Sequence, residues 1–345
     1  MKKKIIKISV VGVGLMGMQH IKAINRSQKV KLHSIVDVNK KVMLTARKYS
    51  VPFFKDIKKL MINKPDAVII STPNKLHEKY AINFLRNKIP VLLEKPISDK
   101  ISTAKKIVIS SKENKTPLLI GYHRRHNIII DKVKNIIDSG KLGKIVSANV
   151  MCWFYKHSEY FKEKWRVTEG GGPLSINLVH DLDVLSYLLG KIKYVQAIKS
   201  NKIRNYKVED TAIVNLIFSS GVLCTLNISD AIVSPWSYEL TAGENPVYPL
   251  TDQSAYFIGG TKSSIQFPNL KNWYYDGKKS WWNKIKVLNF KNKKIGDTLV
   301  NQINHFSEVV SKKIKPKVNG EDGLNSLKVY DAIIKSSKLG KKIRI

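Results

Sequence analysis

The stretch VVGVGLMGMQH, residues 10–20, constrains this chain more than any other. An apolar, strand-like run, Ile5–Val11, enters it, and a helical pattern with Ile21 and Ile24 on one face leaves it. Between the two stand Gly12-Val13-Gly14-Leu15-Met16-Gly17, a G-x-G-x-x-G in the strand–turn–helix setting that gives the pattern physical meaning. Gly12 allows the tight turn, Gly14 keeps side-chain atoms away from an approaching pyrophosphate, and Gly17 lets helix and strand pack closely. Leu15 and Met16 open the helix, whose free N–H groups and positive dipole end favour phosphates. Twenty residues after Gly17, at the end of a second apolar run (Lys31–Val36), comes Asp37, where a carboxylate meets ribose hydroxyls. The pattern predicts a dinucleotide-binding domain, with NAD preferred because a carboxylate repels a 2′-phosphate. Lys40 and Lys41, close by, keep NADP open as a second choice.

The first third of the chain alternates strand and helix. Strands are predicted at Ile5–Val11, Lys31–Asp37, Asp66–Ser71, Pro90–Glu94 and Pro117–Tyr122. Helices are predicted at Leu15–Asn25, Lys40–Tyr49, Asp56–Ile62, Lys75–Asn87 and Asp99–Asn114, the last capped by Ser98. Such alternation means a parallel sheet covered on both faces. Ligands of these sheets sit beyond the carboxyl ends of the strands. That rule selects Asp37, Ser71-Thr72-Pro73, Glu94-Lys95-Pro96 and Tyr122-His123. With His77 just beyond, Ser71, Thr72, Pro73, Glu94, Lys95 and His123 join the glycine loop and Asp37 as expected cofactor-binding residues.

From Arg124 the pattern changes. A helix, Ile128–Ser139, leads to Ile145–Tyr155, where Val146, Ala148, Val150, Cys152 and Phe154 alternate with polar or aromatic residues. A helix is predicted at Leu174–Leu189. Strands are predicted next at Thr211–Phe218, Val222–Ser229, Tyr238–Ala242, Ser254–Ile258 and Ser263–Phe267, and helices at Asp297–Ile314 and Asp322–Leu339 close the chain. The fold class is α/β: a Rossmann domain, residues 1–123, then an α+β domain, residues 124–345, with a large, mainly antiparallel sheet. The second face of that sheet is too apolar to meet only water, which predicts a homo-oligomer.

Charge bears on partners. The chain holds 61 basic and 26 acidic residues, a formal charge of +35. The excess is nearly all Lys, spread along the chain, whereas specific nucleic-acid recognition favours the planar fork of Arg. No nucleic-acid partner is expected. Met1-Lys2-Lys3-Lys4 imitates the start of a secretion signal, but Lys7 and the glycines interrupt the apolar run, and no stretch has transmembrane length. Cys152 and Cys224, alone in strand-like segments, fit a reducing cytoplasm and no metal site.

Several residues can carry chemistry. Lys95 at a strand end can hold and polarise a substrate oxygen, although the chain has many surface lysines. After Gly170-Gly171-Gly172-Pro173, Asn177 and His180 stand three apart and share a helix face. An imidazole titrates near neutrality and suits the transfer of an alcohol proton. The triple glycine lets a backbone approach a neighbour closely. Arg124 and Arg125 can bind an anion or form an internal ion pair. Trp153, Tyr155, Trp165 and Arg166 can wall a substrate pocket or pack a core.

Taken together these motifs resemble the glucose-fructose oxidoreductase / inositol dehydrogenase / rhizopine catabolism (Gfo/Idh/MocA) family. The match rests on Gly12–Gly17 with His20, Ser71-Thr72-Pro73 with His77, Glu94-Lys95-Pro96, Gly121–Arg125, Gly170–Asp183 and Gly320-Glu321-Asp322-Gly323. The resemblance implies NAD- or NADP-dependent hydride transfer at a hydroxyl-bearing carbon of a sugar, cyclitol or related polyol, in a homodimer or homotetramer. It maps the family's catalytic lysine to Lys95 and its catalytic histidine to His180, with Asn177 positioning. Two departures stand out: Ile176 replaces the aspartate usual four residues before the histidine, and His123 replaces an asparagine. Two alternatives stay open, a dehydrogenase of aromatic-acid cis-dihydrodiols and an NAD-binding sensor without turnover. Ser234–Pro249 reads as specific to a subgroup.

Overall fold

The structure, a computed structural model, describes residues 5–290 and 296–345, so the basic start Met1–Lys4 lies outside the described residues. The chain divides into two compact units, Met1–His126 with Asp297–Leu327, and Asn127–Gly296 with Lys328–Ile345.

Up to His126 the elements are β1 (Ile6–Val11), α1 (Leu15–Arg26), β2 (Val30–Val36), α2 (Met43–Lys48), β3 (Phe53–Phe54), α3 (Ile57–Leu60), β4 (Ala67–Ile70), α4 (His77–Arg86), β5 (Val91–Leu93), α5 (Ile101–Glu113) and β6 (Leu118–Ile120). The strands pair in parallel in the order β3-β2-β1-β4-β5-β6. Ile8, Val10, Ile69 and Leu92 are fully buried, as strands covered on both faces require. The order reverses between β1 and β4, which makes their carboxyl ends the crevice where such sheets bind ligands. Two local expectations change. The two-residue β3 is too short to carry a periodic signal. Ser98 does not cap α5: the helix starts at Ile101 with Lys100 as N-cap, and Ser98 Oγ hydrogen-bonds Thr103 Oγ1 at 2.5 Å.

The chain continues through α6 (Ile128–Asp138), β7 (Ile145–Trp153), α7 (Val179–Leu189), β8 (Ile192–Ser200), β9 (Thr211–Phe218), β10 (Leu223–Ser229), α8 (Tyr238–Thr241), β11 (Tyr256–Gly260), β12 (Ser263–Phe267), β13 (Lys271–Tyr274) and β14 (Lys286–Asn289). It closes with α9 (Thr298–Val310), α10 (Gly320–Leu339) and β15 (Ile343–Arg344). Among the described residues the second sheet has nine strands, ordered β14-β13-β12-β11-β7-β10-β9-β8-β15, and only β7 and β10 pair in parallel. Ala148, Val150, Cys152, Val214, Leu216 and Leu226 turn one face into a core with Leu182 and Leu185 of α7 and Ile333 of α10. On the other face Asn149 Nδ2 donates to Thr225 Oγ1 at 2.7 Å, and Ile198, Ile213 and Leu223 stay exposed.

Three differences from the sequence reading concern this region. Val146, expected among the buried alternating residues, is 55% exposed. Tyr238–Thr241 forms a short helix rather than a strand, because Ser237 Oγ accepts from Leu240 N and caps it. Residues 297–327, assigned to the second domain by sequence, fall in the first unit, where Ile303, Phe306 and Val309 of α9 share a core with Ile21 and Ile24 of α1. Sequence order hides such a return of the chain. No helix of the described residues is long and apolar enough to cross a membrane.

Candidate functional site

In the first unit the three glycines of the loop have three separate steric duties. Gly12 follows β1 with φ +87°, and a Cβ there would lie 2.8 Å from Thr72 N. A Cβ on Gly17 would stand 2.0 Å from the carbonyl oxygen of Gly12. Ser71 Oγ donates to that same oxygen at 2.7 Å, tying β4 to the turn. Gly14 differs: nothing lies within 4 Å of its Cβ position. The protein therefore does not require glycine there for its own packing, and the open space leaves the backbone accessible to a pyrophosphate. Gly14 is also the N-cap of α1 and offers no side-chain cap, which leaves first-turn N–H groups available to an anion. Leu15 is exposed and Met16 half-buried.

Asp37 closes the cradle. Its Oδ2 accepts from Val13 N at 2.7 Å and its Oδ1 from Asn39 N at 2.8 Å, so the carboxylate is fixed while lone pairs remain for hydroxyl donors. Asp37, Gly12, Thr72 and Pro73 border a cavity of about 360 Å³ into which Lys55 and Lys58 also reach. That volume lies in the ordinary range of small-ligand sites. A larger cavity, about 790 Å³, opens beside Ile6, Pro90 and Pro117 at the opposite, amino-terminal ends of the strands. The residues around Asp37 fit a dinucleotide: a turn a Cβ would fill, an uncapped helix end and an anchored carboxylate.

Beyond β5, Glu94 is buried and accepts from His20 Nε2 at 2.7 Å and from Lys95 N at 3.1 Å. Gly121 makes room for it, since a Cβ there would lie 2.8 Å from Glu94 Oε1. Burial pushes the Glu94 carboxyl up, but His20, Lys95 and His123 together hold it below its ordinary value. Lys95 is half-buried and its peptide bond to Pro96 is cis. His77, expected at the cofactor, is fully buried instead. Its Nε2 faces Thr72 O at 2.9 Å and its Nδ1 faces Pro96 O at 3.1 Å, so it fastens the loop after β4 to the loop carrying Lys95.

In the second unit, residues Leu174–Leu178 form a π-turn that runs directly into α7. The sequence pattern predicts a continuous α-helix there; wide turns of this kind cluster at functional sites. The triple glycine has a specific neighbour. A Cβ on Gly171 would lie 2.3 Å from Trp165 O, and one on Gly172 would lie 2.3 Å from Glu209 Oε1. Asn177 is buried and doubly held: Lys156 Nζ donates to its Oδ1 at 3.0 Å, and its Nδ2 donates to Glu239 Oε1 at 2.9 Å. His180 is buried in the first turn of α7. Lys156 lies 3.7 Å from Asp230 Oδ2, and Arg204 Nε reaches Asp230 Oδ1 at 2.8 Å. Burial pushes the Lys156 ammonium below its ordinary value, a shift that Asp230 and Glu239 partly offset.

Sequence reasoning does not find Lys156, Asp230 and Glu239. Glu239 lies in Ser234–Pro249, the stretch that reads as specific to a subgroup; nothing marks Lys156 among so many lysines. The other expected substrate residues take varied positions. Trp153 points to the outer sheet face, where its Nε1 donates to Asn227 Oδ1 at 2.9 Å. Tyr155 lies past the end of β7, 52% exposed, with the Arg204 guanidinium 5.5 Å from its ring centre. Arg124 and Arg125 are both 4% exposed, and Arg125 lies 3.6 Å from Asp322 within the first unit. Trp165 is exposed, and Arg166 stacks on Tyr160 with 3.9 Å between guanidinium carbon and ring centre. No group of three or more His, Cys, Asp or Glu side chains suited to a metal converges among the described residues.

Residues 6–122 match the family model described as the oxidoreductase family, NAD-binding Rossmann fold. Residues 134–345 match the companion model, the oxidoreductase family's C-terminal alpha/beta domain. The chain belongs to the Gfo/Idh/MocA oxidoreductase family. It is an oxidoreductase with an NAD-binding domain. An uncharacterized oxidoreductase YrbE of Bacillus subtilis is 21% identical over 354 residues, covering 100% of this chain and 98% of its own length. The inositol 2-dehydrogenase of Corynebacterium glutamicum is 23% identical over 238 residues, 66% of this chain and 67% of that protein. Among solved structures, the WlbA dehydrogenase of Bordetella pertussis, in complex with NADH and UDP-GlcNAcA, shares the fold with a TM-score of 0.78. Its identity is 22%, and the match covers 99% of each chain.

Proposed function

We propose that this Gfo/Idh/MocA member is an NAD-dependent dehydrogenase acting on a hydroxyl-bearing carbon of a sugar, cyclitol or related polyol. The bound nicotinamide supplies the hydride acceptor or donor. His180 takes the hydroxyl proton in oxidation and returns it in reduction, and Lys95 donates a hydrogen bond to the reacting oxygen. Glu94, held by His20, fixes the loop of Lys95 through the Lys95 N–H. Asn177 acts as a positioning residue, since both ends of its amide are engaged.

The observation that carries this reading is His180, an imidazole held in the first turn of a helix that a π-turn and a close-packed glycine loop introduce. The fixed Asp37 supports NAD over NADP, because its carboxylate stands where a 2′-phosphate would bring charge. The exposed Ile198, Ile213 and Leu223 support a homodimer or homotetramer through the outer sheet face. Light scattering on the eluted protein tests that part, with a monomer at micromolar concentration as the contrary result. For the activity, the protein is incubated with NAD and a panel of aldoses, cyclitols, sugar acids and dihydrodiols, and products are read by mass. Loss of two hydrogens from one class supports the proposal. NAD binding with no product from any class favours a sensor.

A further inference from the structure

Two cations of the second unit border one tyrosine ring, and neither has a carboxylate close enough for a direct hydrogen bond. Lys156 Nζ lies 4.8 Å from the Tyr160 ring centre and the Arg166 guanidinium carbon 3.9 Å from it. The Lys156 side chain is only 5% exposed, and its ammonium has three donors to satisfy. One goes to Asn177 at 3.0 Å. Its nearest carboxylate, Asp230, is 3.7 Å away and is taken at 2.8 Å by Arg204. Of the other acids nearby, Glu239 accepts from Asn177 Nδ2 through Oε1 and Asp210 accepts from Ile203 N and Arg204 N through Oδ2, while Glu239 Oε2 and Asp210 Oδ1 accept no hydrogen bond among the described residues. Arg166 donates from Nη1 to Tyr160 O at 2.9 Å, and among the described residues no carboxylate pairs with it and no atom accepts from its Nε.

A buried cation is costly unless it is paired, and here the buried Lys156 and the half-buried Arg166 border one aromatic ring with donors left over. The glycine loop adds rigidity, because Gly171 packs directly on the backbone of Trp165 and Arg166. Lys156 in turn touches Asn177, one helical turn before His180. The geometry points to a substrate that carries a carboxylate, held by Lys156 and Arg166. A carboxylate fits better than a phosphate monoester, whose second charge needs a further free cation, and Arg204 is already bound to Asp230. The inference rests on the dehydrogenase reading for the chemistry after binding, but the binding preference itself does not need turnover.

The test uses the full chain with NAD present. Matched ligands, each a sugar or polyol acid beside its own methyl ester, are titrated calorimetrically, together with inorganic phosphate and sugar phosphates. For at least one pair the acid binds about 10- to 100-fold tighter than the ester, the range expected of hydrogen bonds to a charged group. Arg166→Met and Lys156→Met each reduce that preference to about twofold or less. Arg166→Met, at a half-buried position, keeps the test readable if Lys156→Met fails to fold. No preference for any acid, a preference that survives Arg166→Met, or tighter binding of phosphates overturns the inference. Reduced nicotinamide is recorded in the same samples. Acid-selective binding without it contradicts the dehydrogenase reading alone, and turnover of neutral polyols without acid preference contradicts the carboxylate inference alone.

Discussion

Lys156 Nζ donates to Asn177 Oδ1 at 3.0 Å, which turns the amide so that its Nδ2 meets Glu239. A lysine on the segment after β7 thereby sets the orientation of a side chain three residues before His180. Lys156→Met leaves the Asn177 oxygen short of its donor at a cost of about 1–3 kcal/mol. Urea denaturation measures it. The pH dependence has a defined sign. The folded pKa of Lys156 lies below 10.5, so between the two values the unfolded chain holds a proton that the folded one lacks. Raising pH through that window stabilises the wild type, and Lys156→Met loses that increment.

Gly14 and Gly17 separate cofactor binding from folding. Gly17→Ala places a Cβ 2.0 Å from a backbone oxygen, and overpacking of that kind costs roughly 1–3 kcal/mol or more. Gly14→Ala meets no protein atom within 4 Å. Thermal unfolding of the Gly14 variant without cofactor therefore stays near wild type, within the roughly 1 kcal/mol that an alanine N-cap loses, while its calorimetric affinity for NAD falls at least about 10-fold. The Gly17 variant loses both. An unstable Gly14 variant contradicts the assignment of its open space to the cofactor.

The loop bearing Lys95 weakens in acid by two routes. Burial holds the His77 pKa below 6.5, so as pH falls under that value the unfolded chain takes up a proton that the folded chain resists. Stability falls with it. Glu94 responds at lower pH: although burial raises it, His20 and its other charged neighbours hold it below 4.5, so the stability it contributes above that value is lost as pH drops through its folded pKa. Denaturation curves between about pH 8 and 5 contain the first step together with that of His126, which burial holds well below its ordinary value, and His77→Asn removes the His77 share. Unchanged pH dependence in that variant excludes His77 as the source.

Asp37→Ser tests cofactor choice. The substitution removes the acceptor of Val13 N and the charge opposing a 2′-phosphate, with Lys55 and Lys58 left in the same cavity. The NAD dissociation constant rises by about 10-fold and that of NADP falls, both by calorimetry. A wild-type preference for NADP contradicts the role given to Asp37.

How much of the molecule is legible in its sequence depends on whether the relevant residues are local. The glycine loop, Asp37 and the Asn177–His180 pair are short-range patterns, and each is readable from spacing. Lys156, Tyr160, Arg204, Asp230 and Glu239 come from separate segments that the second unit brings together, and no periodicity links them. Tyr238–Thr241 reads as a strand because a short apolar run has no decisive period, and the Ser237 cap makes it a helix. Trp153 sits next to Cys152, a core residue, so strand alternation alone turns it to the outer face and away from the pocket its aromatic ring suggests. His77 is readable as a residue of the loop region after β4, but its burial between Thr72 and Pro96 depends on two loops that sequence alone does not juxtapose.

The most direct test of hydride transfer through Lys95 and His180 is reduced-nicotinamide absorbance across the hydroxylated panel, with wild type, Lys95→Met and His180→Ala compared at saturating NAD. Wild type produces a rise with at least one class, and each variant lowers kcat by about 100-fold or more, the range for loss of an acid–base group, while still binding NAD. Variants as fast as wild type, or no rise from wild type with NAD demonstrably bound, contradict the account.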